Sequence, residues 1–198
     1  MKLLLTLALL TTLLLPALGQ ENKEVLSYDD EFDVTELIPV SELEFKGFYA
    51  NRENADKRIS YWIFGFNGLH GGNERNLPLI DEWLDKHPDA VYKPVSYAKS
   101  SNKGSENSEM LYGWVIDGKE NMNLFLVEQG GCKSNVMLKM IVYDEMPEDE
   151  KKKYSWLTEK DMRTLIPDQE YQKFLKKLYR AERKAQKKKL GLWAEEGN

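Results

Sequence analysis

Between Lys173 and Lys189 the chain places nine lysines and arginines against a single acid, Glu182. Cations at that density on a helix suit contact with phosphates or another polyanion. A solvated basic face on a packed helix has the same composition. Other reactive side chains are few. Cys132 is the only cysteine. It cannot form an internal disulfide, and it reads as a small buried apolar residue rather than a reactive thiol. The two histidines are His70 and His87. No cysteine or histidine cluster accompanies them, which argues against zinc, and His70 reads as an ordinary loop residue. Gly65 to Asn73 is glycine-rich but lacks the Gly-Lys-Ser/Thr ending of a phosphate-cradling loop.

The basic stretch needs a helix to present it. Tyr171, Phe174, Leu175, Leu178, Ala181 and Ala185 recur at steps of three and four, one face of a helix. Pro167-Asp168 is its expected start, with Asp168 as N-cap. Gly191 is the expected left-handed stop. Leu192 and Trp193 would then fold back onto the body.

The chain opens with Lys2, an apolar run from Leu3 to Leu15, and Pro16-Ala17-Leu18-Gly19. This pattern is that of a secretory signal, Met1–Gly19. An uncleaved anchor is the alternative, although the run falls short of the roughly 20 residues of a spanning helix. The expected product is secreted, extracellular or periplasmic, and monomeric, with no transmembrane segment after cleavage. Net charge is -5 over the whole chain. Without Lys2 it is -6. With +8 between Lys173 and Lys189, the remainder carries -14. Only the last long helix could meet a polyanion; the rest of the surface would repel one.

Gln20–Ser41 is acidic and reads as an N-terminal arm, with Leu37 to Val40 able to pack as an edge. The domain is expected over Glu42–Asn198. Leu43 to Tyr49 and Ile59 to Phe64 suit two strands of a hairpin. Leu77 to His87 suits a helix. Ala90 to Tyr97 and Leu111 to Ile116 suit strands, the second running into a tight Asp117-Gly118 turn. Met122 to Gln129 suits a short helix stopped by glycine, and Val136 to Tyr143 a further strand. Glu145–Thr164 is charged and reads as a surface insertion with a short helix. The order predicts an antiparallel α+β fold. A five-stranded OB-type β-barrel fits the strand count, though spacing alone does not choose it over other α+β folds.

Two segments resemble the thermonuclease (staphylococcal-nuclease-like) family. Val115 to Gly130 is similar to its strand, Asp-Gly turn and Leu-Val-x-x-Gly helix. Ala181 to Trp193 is similar to its Ala-Glu-x-x-Ala-x-x-x-x-Leu-Gly-x-Trp ending. The resemblance implies a barrel with about three helices. In active members it also implies calcium-dependent hydrolysis of phosphodiester bonds in DNA or RNA. That chemistry needs carboxylates on a hard cation, a carboxylate to direct water, and arginines on the phosphate.

The chain departs from the family at those places. No Asp-Gly-Asp triplet lies between Glu44 and Ile63. The metal aspartate falls on Gly65, the base on Gly68, the first arginine on Ser60 and the second on Glu109. The expectation is therefore an exported thermonuclease homologue without catalytic residues, cofactor or metal, acting as a binding module. Its partner would be nucleic acid or another polyanion, met through the basic C-terminal helix, with Tyr61, Trp62 and Phe66 lining a groove. The alternative is a calcium-dependent nuclease whose residues have moved to Arg58, Glu53 and Asp56, near Asn67. A third reading is an envelope-associated structural protein with no ligand.

Overall fold

A computed structural model describes residues 31–34, 37–39, 48–50, 58–63, 73–99, 108–155 and 157–195. The protein is α+β, as expected. Its strands are β1 (Phe32–Asp33), β2 (Leu37–Pro39), β3 (Phe48–Ala50), β4 (Arg58–Ile63), β5 (Val91–Lys99), β6 (Ser108–Asp117), β7 (Glu120–Asn121) and β8 (Met162–Thr164). Its helices are α1 (Asn73–Lys86), α2 (Met122–Glu128), α3 (Glu148–Lys153), α4 (Asp168–Lys188) and α5 (Leu192–Glu195). The described strands form an open path, β1-β5-β6-β4-β3-β2, with β7 on β6 and β8 on β5. Neighbours are antiparallel except β4 and β6, which run parallel. The expected hairpin is present, with Phe48 opposite Tyr61.

The segment read as an acidic arm supplies both ends of this path. Phe32 lies opposite Tyr92 on β5, and Leu37 opposite Ala50 on β3. Pro39 takes part in β2, an end strand, where a missing N–H donor is tolerated.

One buried side chain ties the middle of the sheet together. Tyr92 is wholly buried. Its hydroxyl donates to the carbonyls of Trp62 (2.8 Å) and Leu111 (2.9 Å), on β4 and β6. Its ring occupies the space beside Gly113, where an added Cβ would lie 2.4 Å from Tyr92 Cζ. Only glycine fits there. Tyr61 meets the same ring edge-on at 5.5 Å.

A bulge divides β5. The register passes from Pro94↔Gly113 to Ser96↔Tyr112, leaving Val95 as the extra residue. Such a residue bends its strand. Here it also marks a change of neighbour: β1 pairs with Val91 and Tyr92, β8 with Ser96 to Ala98. The Val95 carbonyl accepts from Leu165 N at 2.8 Å. The insertion therefore does more than cover the surface, because its last residues extend the sheet.

The strand expected over Val136 to Tyr143 does not form. Ser134–Met137 and Tyr143–Glu145 are 3-10 turns, and the residues between them are unpaired in the sheet. Burial alternates as in a strand, with Met140 and Val142 inside and Ile141 out. The edge of β5 is taken by β1 and β8, so this segment does not pair there. The backbone is held from α4 instead, where Lys139 N donates to Tyr171 Oη at 3.1 Å.

The long helix forms as its periodicity predicts. Tyr171, Phe174, Leu178, Ala181 and Ala185 are buried, and Phe174 stacks on Trp114 of β6 at 4.6 Å. Both caps differ from expectation. Pro167 occupies the N-cap and Asp168 the first helical position, where its charge suits the helix dipole. At the other end Lys189, not Gly191, takes the left-handed conformation, with φ 52° and ψ 48°. Lys189 N donates to Gln186 O and Leu190 N to Ala185 O, the paired bonds of a Schellman ending. Gly191 turns next, at φ 49°, leading into α5.

A side chain in the left-handed region costs about 1 kcal/mol. Lys189→Gly is therefore expected to raise stability by about 1 kcal/mol, or about 2–4 °C in melting temperature for a chain of this size. Gly191→Ala should lower it by more than about 2 kcal/mol, because the new Cβ would lie 2.4 Å from Gly130 O. Thermal and urea melts of the two variants check the opposite signs.

Candidate functional site

The two segments that carry the family resemblance meet in space. Gly130 follows α2 at φ 71°, and a Cβ on it would lie 2.2 Å from Leu190 O. Gly191 faces it with the same intolerance. Leu192 N donates to Gly130 O at 2.9 Å. These two glycines let the end of α2 touch the end of α4 backbone to backbone.

The other residues of the two segments are also occupied with packing. Asn121 caps α2, accepting from Leu124 N at 3.0 Å. Asn123 is fully buried. Its Oδ1 accepts from Val115 N at 3.1 Å, and its Nδ2 donates to Gly113 O at 3.4 Å, which stitches α2 to β6. Ala181 and Ala185 lie on the buried face of α4, which packs against α2. Glu182 accepts from Ser134 N at 2.8 Å and from Ser134 Oγ at 2.7 Å. It thereby supplies the cap that the 3-10 turn at Ser134 lacks from its own residues.

The positions expected to carry chemistry fall elsewhere. Arg58 is the first residue of β4, opposite Ser108. Glu53, Asp56, Gly65, Phe66, Gly68 and His70 lie outside the described residues. Ser60 lies opposite Met110, whereas Glu109 lies opposite Ile59, one step out of register.

Glu109 is not idle. It accepts a hydrogen bond from the Tyr97 hydroxyl. Arg163, on β8, sits over the Tyr97 ring at 5.6 Å, and Lys99 reaches Asp161 at 3.8 Å. At the position where the family places a phosphate clamp, the chain thus holds a carboxylate. Sequence reasoning missed Arg163 and Asp161, because both arrive from the insertion.

A metal ion has no fit at the family positions, since Gly65 and Gly68 offer no side-chain oxygen. Among the described residues, no three of His, Cys, Asp and Glu are grouped to hold one. His87, just beyond α1, pairs its Nδ1 with Asp117 Oδ2 at 2.9 Å and stacks on Trp83 at 4.0 Å. That pairing anchors α1 to the Asp117-Gly118 turn. Cys132 is buried, as read from the sequence, and burial lifts its thiol to about 12. Tyr61 is a core residue and not a groove lining, and Trp62 stacks on Tyr112 at 6.2 Å.

The cations of α4 form an exposed charged face. Lys173, Lys176, Lys177, Arg180, Arg183, Lys184, Lys187 and Lys188 are all exposed. At 3.6 residues per turn they fall within an arc of about 140°, opposite the buried face, along about 22 Å of axis. Glu182 lies outside this arc, and Lys184 pairs with Glu128 of α2.

No family model matches the chain, and no curated protein matches it. Among the described residues, no helix is long and apolar enough to cross a membrane.

The phenols give a pH test. Burial, followed by the charge and hydrogen bond of Glu109, pushes Tyr97 up to about 12, and burial alone does so for Tyr112. The ordinary tyrosine value is 10.0 and that of cysteine 9.0. The unfolded chain therefore releases these protons first as pH rises. Their stabilisation is whole below about pH 9 and is lost as pH climbs toward 12. Urea titrations are expected to give constant stability to pH 9 and a steady fall above it.

Proposed function

We propose that this chain is an exported, catalytically inert member of the thermonuclease-like family. It binds a polyanion, nucleic acid in the first instance, through the exposed face of α4. The observation that carries this reading is the stripe of eight exposed cations opposite the buried face of one rigid, 21-residue helix.

The fold assignment has support of its own. The two ends of the strand path, β1 and β2, are joined by residues 34–36 alone. Four residue steps span at most about 14 Å, so the path must turn back on itself. A closed OB-type barrel of five chain segments would use such a return, with β1 and β2 as the two parts of a shared first strand. Strands, helix, strands, a short helix and a long helix then follow in the family's order. Both glycine signatures serve to join α2 to α4.

The loss of catalysis rests on chemistry at four positions. Gly65 and Gly68 have no side-chain oxygen to hold a cation or direct a water. Ser60 carries no positive charge, and Glu109 would repel a phosphodiester. Losing a single charged transition-state contact costs about 10²–10³ in rate, and here all are replaced together. The signal at Met1–Gly19 sends the chain out of the cytoplasm, and stability without a disulfide comes from the packed core.

Binding to a single-stranded oligonucleotide, read by fluorescence anisotropy between 50 and 300 mM salt, tests the reading. Five neutralised phosphates predict a log–log slope of about -3.5. Replacing Lys176, Lys177, Arg180 and Arg183 together by glutamine should reduce the slope to less than half and weaken binding more than tenfold. Because all four are exposed, the melting temperature should stay within a few degrees. Absence of binding at 50 mM salt, or binding indifferent to salt, would sink the proposal.

A further inference from the structure

A cavity of about 520 Å³ opens between the sheet and the insertion. Ala98, Met110 and Tyr112 of β5 and β6 form one wall, with Met162 of β8 beside them. The segment from Asn135 to Tyr154 forms the other. Its volume is that of a small-molecule site, which ranges from about 300 to 1,000 Å³. Four of the seven methionines in the chain, Met110, Met140, Met146 and Met162, line it. Unbranched thioethers reshape around an apolar ligand and contact aromatic rings favourably.

The charges at the cavity are unequal in their availability. Lys139 has a side chain only 9% exposed, paired with Glu145 and set over the Tyr171 ring at 5.5 Å. Lys99 pairs with Asp161. Glu150 is exposed and, among the described residues, its carboxylate has no ion-pair or hydrogen-bond partner. Tyr154 follows it by four residues. Tyr154 N donates to Glu150 O at 2.9 Å, which keeps that last turn wound and puts ring and carboxylate on one face. Tyr112 supplies a second ring to the lining.

The Tyr154 ring carries Lys153 at 5.4 Å and the Tyr112 ring stacks on Trp62, so the group left for an organic cation is the Glu150 carboxylate at the rim of an apolar floor: the ammonium takes the carboxylate, and the hydrocarbon takes the thioethers. We propose that this cavity is a binding site for a small amine with an apolar alkyl or aryl body, its ammonium held by Glu150. This site is separate from the basic face of α4, so it stands or falls apart from polyanion binding.

The test uses 4-phenylbutylamine, with 4-phenylbutanol and 4-phenylbutanoate as neutral and anionic probes of equal size. The readout is the ¹³C-methyl methionine spectrum of the purified protein. The amine should shift Met110, Met140, Met146 and Met162 saturably at one equivalent, leaving Met122 of α2 in place. It should bind roughly fivefold to tenfold tighter than the alcohol. Glu150→Gln should bring the amine down to the alcohol's affinity and leave the alcohol unchanged. Four outcomes overturn the proposal. They are no saturable shift, tightest binding of the carboxylate, an amine preference that survives Glu150→Gln, and the same methyl shifts on raising protein concentration without probe. The last would mean that a second copy fills the cavity.

Discussion

The contact between Gly130 and Gly191 is the constraint on which the arrangement depends. Neither residue can carry a side chain without striking the other's strand of backbone. Their approach sets where α4 ends relative to α2, and α2 is in turn fixed to β6 by Asn123. From that joint α4 runs back across the sheet, stacking Phe174 on Trp114. The direction of α4 then decides which way its cations face. A packing requirement at one end of a helix thus determines the electrostatics of its whole outer surface.

The proposed reading, a packing signature without the family's chemistry, rests on this dependence. The residues that resemble the thermonuclease family, Asn123, Gly130, Ala181, Glu182, Ala185 and Gly191, hold elements together through buried contacts and backbone bonds. Their replacement costs stability. At Glu109 the chain has built a different local structure, in which the carboxylate takes the Tyr97 hydroxyl beside Arg163.

Elements with a strong period were legible in the sequence. The buried stripe of α4, the β3–β4 hairpin, the Asp117-Gly118 turn and the α+β order all followed from spacing and turn chemistry. Misreadings came where tertiary context decides. Val136 to Tyr143 has a strand's alternation, but β1 and β8 hold the edge of β5 and the segment is fixed from α4 instead. Phe32–Asp33 looked like part of a charged arm, because a two-residue strand at the end of a sheet needs few apolar residues, whereas Leu37–Pro39 forms the edge that its apolar residues suggested. Lys189 takes the left-handed stop because its position closes the Schellman bonds, whatever its side chain prefers. Of the candidate sites, the cation stripe could be read from the chain alone. The methionine-lined cavity could not, since its walls come from segments far apart in sequence.

The central claim is that the packing signature has outlived the catalyst. Its most direct test is a phosphodiester hydrolysis assay on the purified protein, with single-stranded and duplex DNA and RNA in millimolar calcium, alongside a chelator control. The account predicts no calcium-dependent cleavage above the chelator background at micromolar protein over hours. Cleavage that requires calcium and is abolished by Arg58→Ala would contradict it.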